Sequence, residues 1–168
     1  MSTKQTVVFV ADFFVNDVTG GAELTTQALI ESAPEDFRVL QIYARDVTKK
    51  TIEEGKDFYW IFTNFSSINF NLIQDICNNL DFSVIEYDYK FCKYRSIDKH
   101  LDEEKKECDC HEQLIGKLIS TFYLNAKSLW FMSEKQEQIY LERFPFLEKV
   151  ETTVLSSVFD EQFFIDIK

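Results

Sequence analysis

Apolar positions along this chain come in short dense runs, separated by stretches in which they recur at helical spacing. Runs at 6–12, 38–43, 57–63, 82–87, 128–132 and 152–155 are rich in β-branched or aromatic side chains and alternate little with polar ones. Such runs predict strands covered on both faces, because a strand with one wet face alternates apolar with polar. Between them, residues 67–80 place Leu72, Ile73, Ile76, Cys77 and Leu80 on one stripe, which predicts an amphipathic helix. Residues 112–126 predict another. A third, 133–144, opens on Ser133-Glu134-Lys135-Gln136, a capping-box pattern in which Ser133 caps and Gln136 reaches back, and Pro145 stops it.

The opening is the most informative stretch. The run Thr6-Val7-Val8-Phe9-Val10-Ala11-Asp12 passes into a polar turn at Asn16–Thr19, then Gly20-Gly21-Ala22-Glu23, then a helix with Leu24, Ala28 and Leu29 on one face. Apolar strand, glycine turn and helix N-terminus are the entry unit of an α/β fold, and unpaired N–H groups there favour phosphates. Strands alternating with helices predict parallel βαβ units, hence a three-layer, Rossmann-like α/β domain with a mostly parallel sheet of about six strands. Ligands are then expected at the C-terminal ends of the strands. Residues 88–111 break the rhythm. They carry the charged run Asp102-Glu103-Glu104-Lys105-Lys106-Glu107, three of the four cysteines and both histidines, and predict a long loop on the ligand-binding edge.

Composition narrows the classes. At 168 residues the chain supports one hydrophobic core and one domain, 1–168. Its 45% hydrophobic and 15% aromatic content excludes a disordered chain. A formal net charge of −11 argues against nucleic acid and against electrostatic adhesion to anionic membranes. No run approaches the roughly 18 apolar residues of a membrane span. The start, Met-Ser-Thr-Lys-Gln, carries no signal-peptide pattern, and the irregularly placed cysteines predict reduced thiols in a cytoplasmic chain.

Four pieces of the sequence, in order, resemble the N-terminal, acceptor-side domain of GT-B glycosyltransferases, especially the large retaining family 4. They are the strand leading to Gly20-Gly21-Ala22-Glu23; Tyr87-Asp88-Tyr89-Lys90-Phe91-Cys92, similar to a His-Asp-Tyr-x-x-Cys stretch; Leu129-Trp130-Phe131-Met132-Ser133; and Thr153–Asp160 with Phe163-Phe164. The likeness runs from about residue 6 to 164. It implies a hexosyltransferase-type transfer with retention, from a nucleotide-sugar donor to a hydroxyl acceptor, with no cofactor and no metal. Family members carry a second domain that binds the donor, which these 168 residues do not contain, so the resemblance also implies a protein partner or a separate second domain. Tyr87 stands where the family has an active-site histidine. A non-catalytic binding module or subunit derived from such a domain is the alternative.

The site residues expected from sequence and resemblance are Gly20, Gly21, Ala22 and Glu23 as a cradle facing phosphates or acceptor, with Asp12 and Tyr87 beside them and Asp88 near the acceptor hydroxyl. Each has a plainer reading: the glycines as a tight turn needed for its backbone angles, Glu23 as a helix-dipole partner, the aspartates as loop caps. Phe13 and Phe14 are expected at the mouth of the site or on the face meeting a second domain. The aromatics of the third strand are expected in the core. The terminal Phe159, Phe163 and Phe164 are expected to pack back on the domain or a partner. Cys92, His100, Cys108, Cys110 and His111 offer thiolates and imidazoles enough for a tetrahedral zinc. Their spacing is irregular, and Cys-x-Cys-His is tighter than the usual Cys-x2–4-Cys. The sequence therefore favours scattered thiols in a charged loop and no metal site.

Overall fold

In the structure, a computed structural model that describes residues 5–156, six parallel strands form one sheet in the order β2-β1-β3-β4-β5-β6. The strands are β1 (Gln5–Ala11), β2 (Phe37–Tyr43), β3 (Tyr59–Phe62), β4 (Asp81–Glu86), β5 (Ser128–Phe131) and β6 (Glu151–Val154). Every pairing is parallel, so the sheet is wholly rather than mostly so. The helices between them are α1 (Gly21–Glu31), α2 (Lys49–Glu54), α3 (Ile73–Asn79), α4 (Ile97–Glu104), α5 (Leu114–Leu124) and α6 (Glu134–Arg143). No helix is long and apolar enough to cross a membrane among the described residues. The expected Phe159, Phe163 and Phe164 contacts lie outside those residues.

The apolar runs explain the layers. Alternate residues of one strand face opposite ways, and in β1, β3 and β4 both sets are buried. The edge strands β2 and β6 carry no buried residue, contrary to the expectation of cover on both faces for 38–43 and 152–155. Val8, Val10, Trp60, Phe62, Phe82, Val84, Leu129 and Phe131 join the larger core, with Ile52 of α2, Ile76 of α3, Phe122 and Tyr123 of α5 and Tyr140 of α6. Val7, Phe9, Ala11, Ile61 and Ile85 face the other way, against Leu29 and Ile30 of α1. Trp60 and Phe62 are buried as the third-strand aromatics were expected to be. Beside α1 an apolar groove of about 340 Å³ lies open among the described residues, floored by Phe9, Val39, Tyr59, Ile61 and Trp130.

Two helices escape the hydrophobic pattern. The six-residue α2 is held by a Thr48–Thr51 capping box. Helix α4 lies within the segment expected to be a loop. Ser96 caps it by accepting from Lys99 N at 3.2 Å, and Lys105 ends it in the left-handed region at φ 54°, turning the chain back toward Cys108. Ser133 caps α6 as the pattern predicts, accepting from Gln136 N at 3.1 Å. Gln136, however, reaches past the capping residue. Its carboxamide accepts from Met132 N and donates to Asp88 O, each at 2.8 Å, which ties the start of α6 to the end of β4.

Candidate functional site

The chain leaves β1 for β2 on one side and returns to β3 on the other. Strand order therefore reverses between β1 and β3, where the two outgoing connections diverge and open a crevice. A cavity of about 530 Å³ lies there, lined by Asp12, Phe13, Arg45, Asn64, Ser66, Ser67 and Arg95. A second, of about 220 Å³, shares Ser66 and Arg95 and runs beneath Phe65, Phe70, Lys90 and Cys92. The lining comes from the connections after β1, β2, β3 and β4.

Asp12 follows the last residue of β1 and fixes one wall. Its carboxylate accepts from Ser66 N and Ser67 N, both at 2.8 Å, and from Ser67 Oγ at 2.5 Å. Burial pushes its carboxyl up, but the serine hydrogen bonds outweigh this and hold it below the usual range. Asp12 is thus a loop cap whose exposed serines face the cavity. The two phenylalanines after it divide. Phe14 is buried edge-on against Tyr43, ring centroids 5.4 Å apart, whereas Phe13 is 47% exposed at the cavity mouth. Asp17 holds the turn, accepting from Phe14 N and from Tyr43 Oη at 3.0 Å each.

Arg95 forms the opposite wall. Its φ of 57° is left-handed, a conformation a non-glycine residue adopts at some energetic cost and which gathers at functional sites. The Asp88 carboxylate accepts from Arg95 Nε at 2.8 Å and lies 2.5 Å from its Nη2, and Arg95 also donates to Asn64 Oδ1 at 3.1 Å. Asp88 therefore lies behind the cavity wall and aims the guanidinium. At the root of this wall Glu86 is fully buried and accepts from Tyr123 Oη, Tyr140 Oη and, at 2.7 Å, Lys90 Nζ. Burial pushes the Glu86 carboxyl up, against the pull of Lys90, and holds both tyrosines well above their ordinary range.

Gly20–Glu23 begin α1 on the same edge of the sheet. Gly20 is the N-cap at φ −123° with no side-chain cap, and no glycine among the described residues has a positive φ. The pair is therefore not required by backbone angles. A Cβ on Gly21 would meet nothing within 4 Å, and one on Gly20 would meet only the flexible Glu23 carboxylate. Space is left open in front of the helix N-terminus. Tyr87 sits under α1, where its hydroxyl shares a 2.8 Å hydrogen bond with Thr26 Oγ1 and burial raises its pKa. Of the residues expected at the site, Asp12 and Phe13 line the cavity, whereas Gly20–Glu23, Tyr87 and Asp88 do not. Arg45, Asn64, Ser66, Ser67 and Arg95 carry no motif in the sequence, and Arg95 alone left a trace, three residues beyond the Tyr87–Cys92 stretch.

Behind Arg95 the cysteines are not scattered. Cys92, His100, Cys108 and Cys110 are all buried, and their ligand atoms lie within 4.8 Å of one another. His111 stands outside, its Nδ1 3.0 Å from Arg143 Nη1. Comparison with protein-family models gives no match, and comparison with curated proteins gives none.

Proposed function

We propose that this domain is the acceptor-side half of a retaining, family-4-like GT-B glycosyltransferase of the hexosyltransferase type. It binds a hydroxyl acceptor in the β1/β3 crevice and presents it to a sugar carried on a nucleoside diphosphate, with the donor-binding half lying outside these residues. The carrying observation is the chemistry of the crevice wall. Arg45, Arg95, Asn64 and two serines offer planar and hydroxyl hydrogen-bonding groups, and Phe13 stands exposed at the mouth. Sugars present hydroxyls that both donate and accept, and apolar C–H faces that stack on an aromatic ring. The approach to Gly21 is open and Gly20 caps α1 without a side chain, so a diphosphate can reach the helix start once the flexible Glu23 carboxylate swings away from Gly20. Asp88 positions Arg95 in this reading.

A second reading is a binding module without catalysis. It is favoured by Tyr87, which stands at the position of the family's histidine and has its hydroxyl engaged by Thr26. The test is isothermal titration of the chain with simple sugars and nucleoside diphosphates. The expected result is sugar binding with little nucleotide affinity, weakened about tenfold or more by Arg95→Ala, the usual effect of losing a charged hydrogen-bond donor. Gly21→Phe should fold normally and still block the diphosphate once the donor half is supplied. Sugar affinity untouched by Arg95→Ala would remove the crevice from the account, and transfer or donor hydrolysis by the assembled enzyme would remove the non-catalytic reading.

A further inference from the structure

We infer that Cys92, His100, Cys108 and Cys110 form a structural zinc site. It is independent of what the crevice binds. The four side chains are at most 3% exposed. His100 Nδ1 lies 3.7 Å from Cys92 Sγ and 3.6 Å from Cys110 Sγ. A tetrahedral zinc with Zn–S near 2.3 Å and Zn–N near 2.05 Å requires sulfur–nitrogen edges of about 3.6 Å. Two edges of the tetrahedron are thus already at their liganded length, and the largest separation in the set, within 4.8 Å, needs a contraction of about 1 Å to close.

The donor chemistry agrees. Three thiols and an imidazole, with no carboxylate among them, form a soft set suited to zinc. All four cysteines are unpaired, and a disulfide between any two of the three clustered thiols would leave the third and the imidazole buried without a purpose. His100 Nε2 has no hydrogen-bond partner among the described residues, an expensive state for a buried imidazole unless its other nitrogen is strongly engaged. Three thiolates on a divalent ion leave one net negative charge. The Arg143 guanidinium lies beside the site and donates to Cys108 O at 2.6 Å.

The fold builds the pocket from three pieces. Cys92 lies in the turn after β4, where its N donates to Tyr89 O at 2.8 Å and its carbonyl accepts from Arg95 N at 2.9 Å. His100 comes from the middle of α4. Cys108 and Cys110 come from a knuckle clamped by α5. A Cβ on Gly116 would lie 2.4 Å from Cys110 O and 2.5 Å from His111 Cα, so only glycine lets α5 close on that knuckle. Four protein ligands leave no open position, which makes the ion structural rather than catalytic. It pins the whole 88–111 excursion, including the backbone that carries Arg95.

The test is elemental analysis of the full chain, expressed in zinc-supplemented medium and dialysed in reducing buffer without chelator. One zinc per chain is expected, retained in Cys77→Ser and His111→Ala and lost in Cys110→Ser and His100→Ala. Should those variants fail to fold, cobalt added to the unaltered apo chain should give the intense visible ligand-field bands and thiolate charge transfer of a tetrahedral sulfur-rich site. Removing zinc should lower the Tm. A chain that purifies without metal and gives no such cobalt spectrum, a disulfide among the three cysteines in freshly isolated protein, or full zinc retention by folded Cys110→Ser would each overturn the site.

Discussion

Gly21 and Gly116 show how differently two parts of this domain are built. Around Gly21 a Cβ would meet nothing within 4 Å among the described residues, and Gly20 caps α1 with no side-chain hydrogen bond. Around Gly116 a Cβ would meet backbone on two residues, because α5 is pressed onto the Cys110–His111 knuckle. The first region is a free edge. The second is a closed joint, in which the excursion after β4 is fastened to the body of the domain. Both meet at the β1/β3 crevice, one supplying Asp12 and Phe13, the other Arg95.

The largest test of that contrast falls at the root of the joint. Glu86→Ala removes the acceptor shared by Tyr123, Tyr140 and Lys90, and leaves the Lys90 ammonium, whose side chain is 4% exposed, without its buried partner. Urea denaturation should show a loss of about 3–5 kcal/mol, the usual result of breaking a buried pair from one side. Gly116→Ala comes next. A better helix former normally stabilises by about 1 kcal/mol, but here the backbone clash should reverse the sign and destabilise by about 2 kcal/mol. Neutrality at position 116 would mean that the knuckle can slide.

At the free edge the effects are smaller. Asp12 has a folded pKa held below its unfolded value, so its contribution is fully present above the ordinary carboxylate range. It is lost as pH falls through the folded value, when the serine N–H groups lose their anionic acceptor. Asp12→Asn should therefore cost about 1 kcal/mol near neutrality and nothing extra in acid, so that plots of stability against pH converge once the pH has fallen below the ordinary aspartate range and through the lowered folded value. Parallel plots would show that the carboxylate charge is immaterial to the loop. Gly21→Ala should be the mildest, neutral or stabilising by about 0.5 kcal/mol through the unfolded chain, with a thermal melt as the readout. A loss at position 21 comparable to that at 116 would erase the distinction between edge and joint.

How much could be read from the sequence follows the same division. The six strands and the entry helix announce themselves because a short dense run of apolar, β-branched or aromatic residues and a 3.6-residue stripe are local patterns. Rossmann-like layering and ligand-side polarity follow from their alternation. The crevice is not local. Arg45, Asn64, Ser66, Ser67 and Arg95 come from three separate connections and share no spacing, and only the strand order brings them together. Phe13 and Phe14 are equivalent as sequence, and what separates them is Tyr43, far along the chain at the end of β2, whose ring packs on Phe14. The cysteine cluster was hidden for a geometric reason. The usual zinc spacings belong to short knuckles, whereas this pocket is closed by α4, whose end at Lys105 reverses the chain and returns Cys108 and Cys110 to Cys92. Helix α4 itself carries few apolar residues, and its cap at Ser96 was its clearest local sign.

The most direct test of the account is backbone-amide NMR of the labelled chain during titration with the best-binding simple sugar. The account predicts shifts concentrated at Phe13, Asn64, Ser66, Ser67 and Arg95, with the amides of β2 and β5 along the apolar groove unmoved. Shifts confined to Val39, Tyr59 and Trp130 would place the ligand in the groove on the α1 face of the sheet and contradict the crevice as the acceptor site.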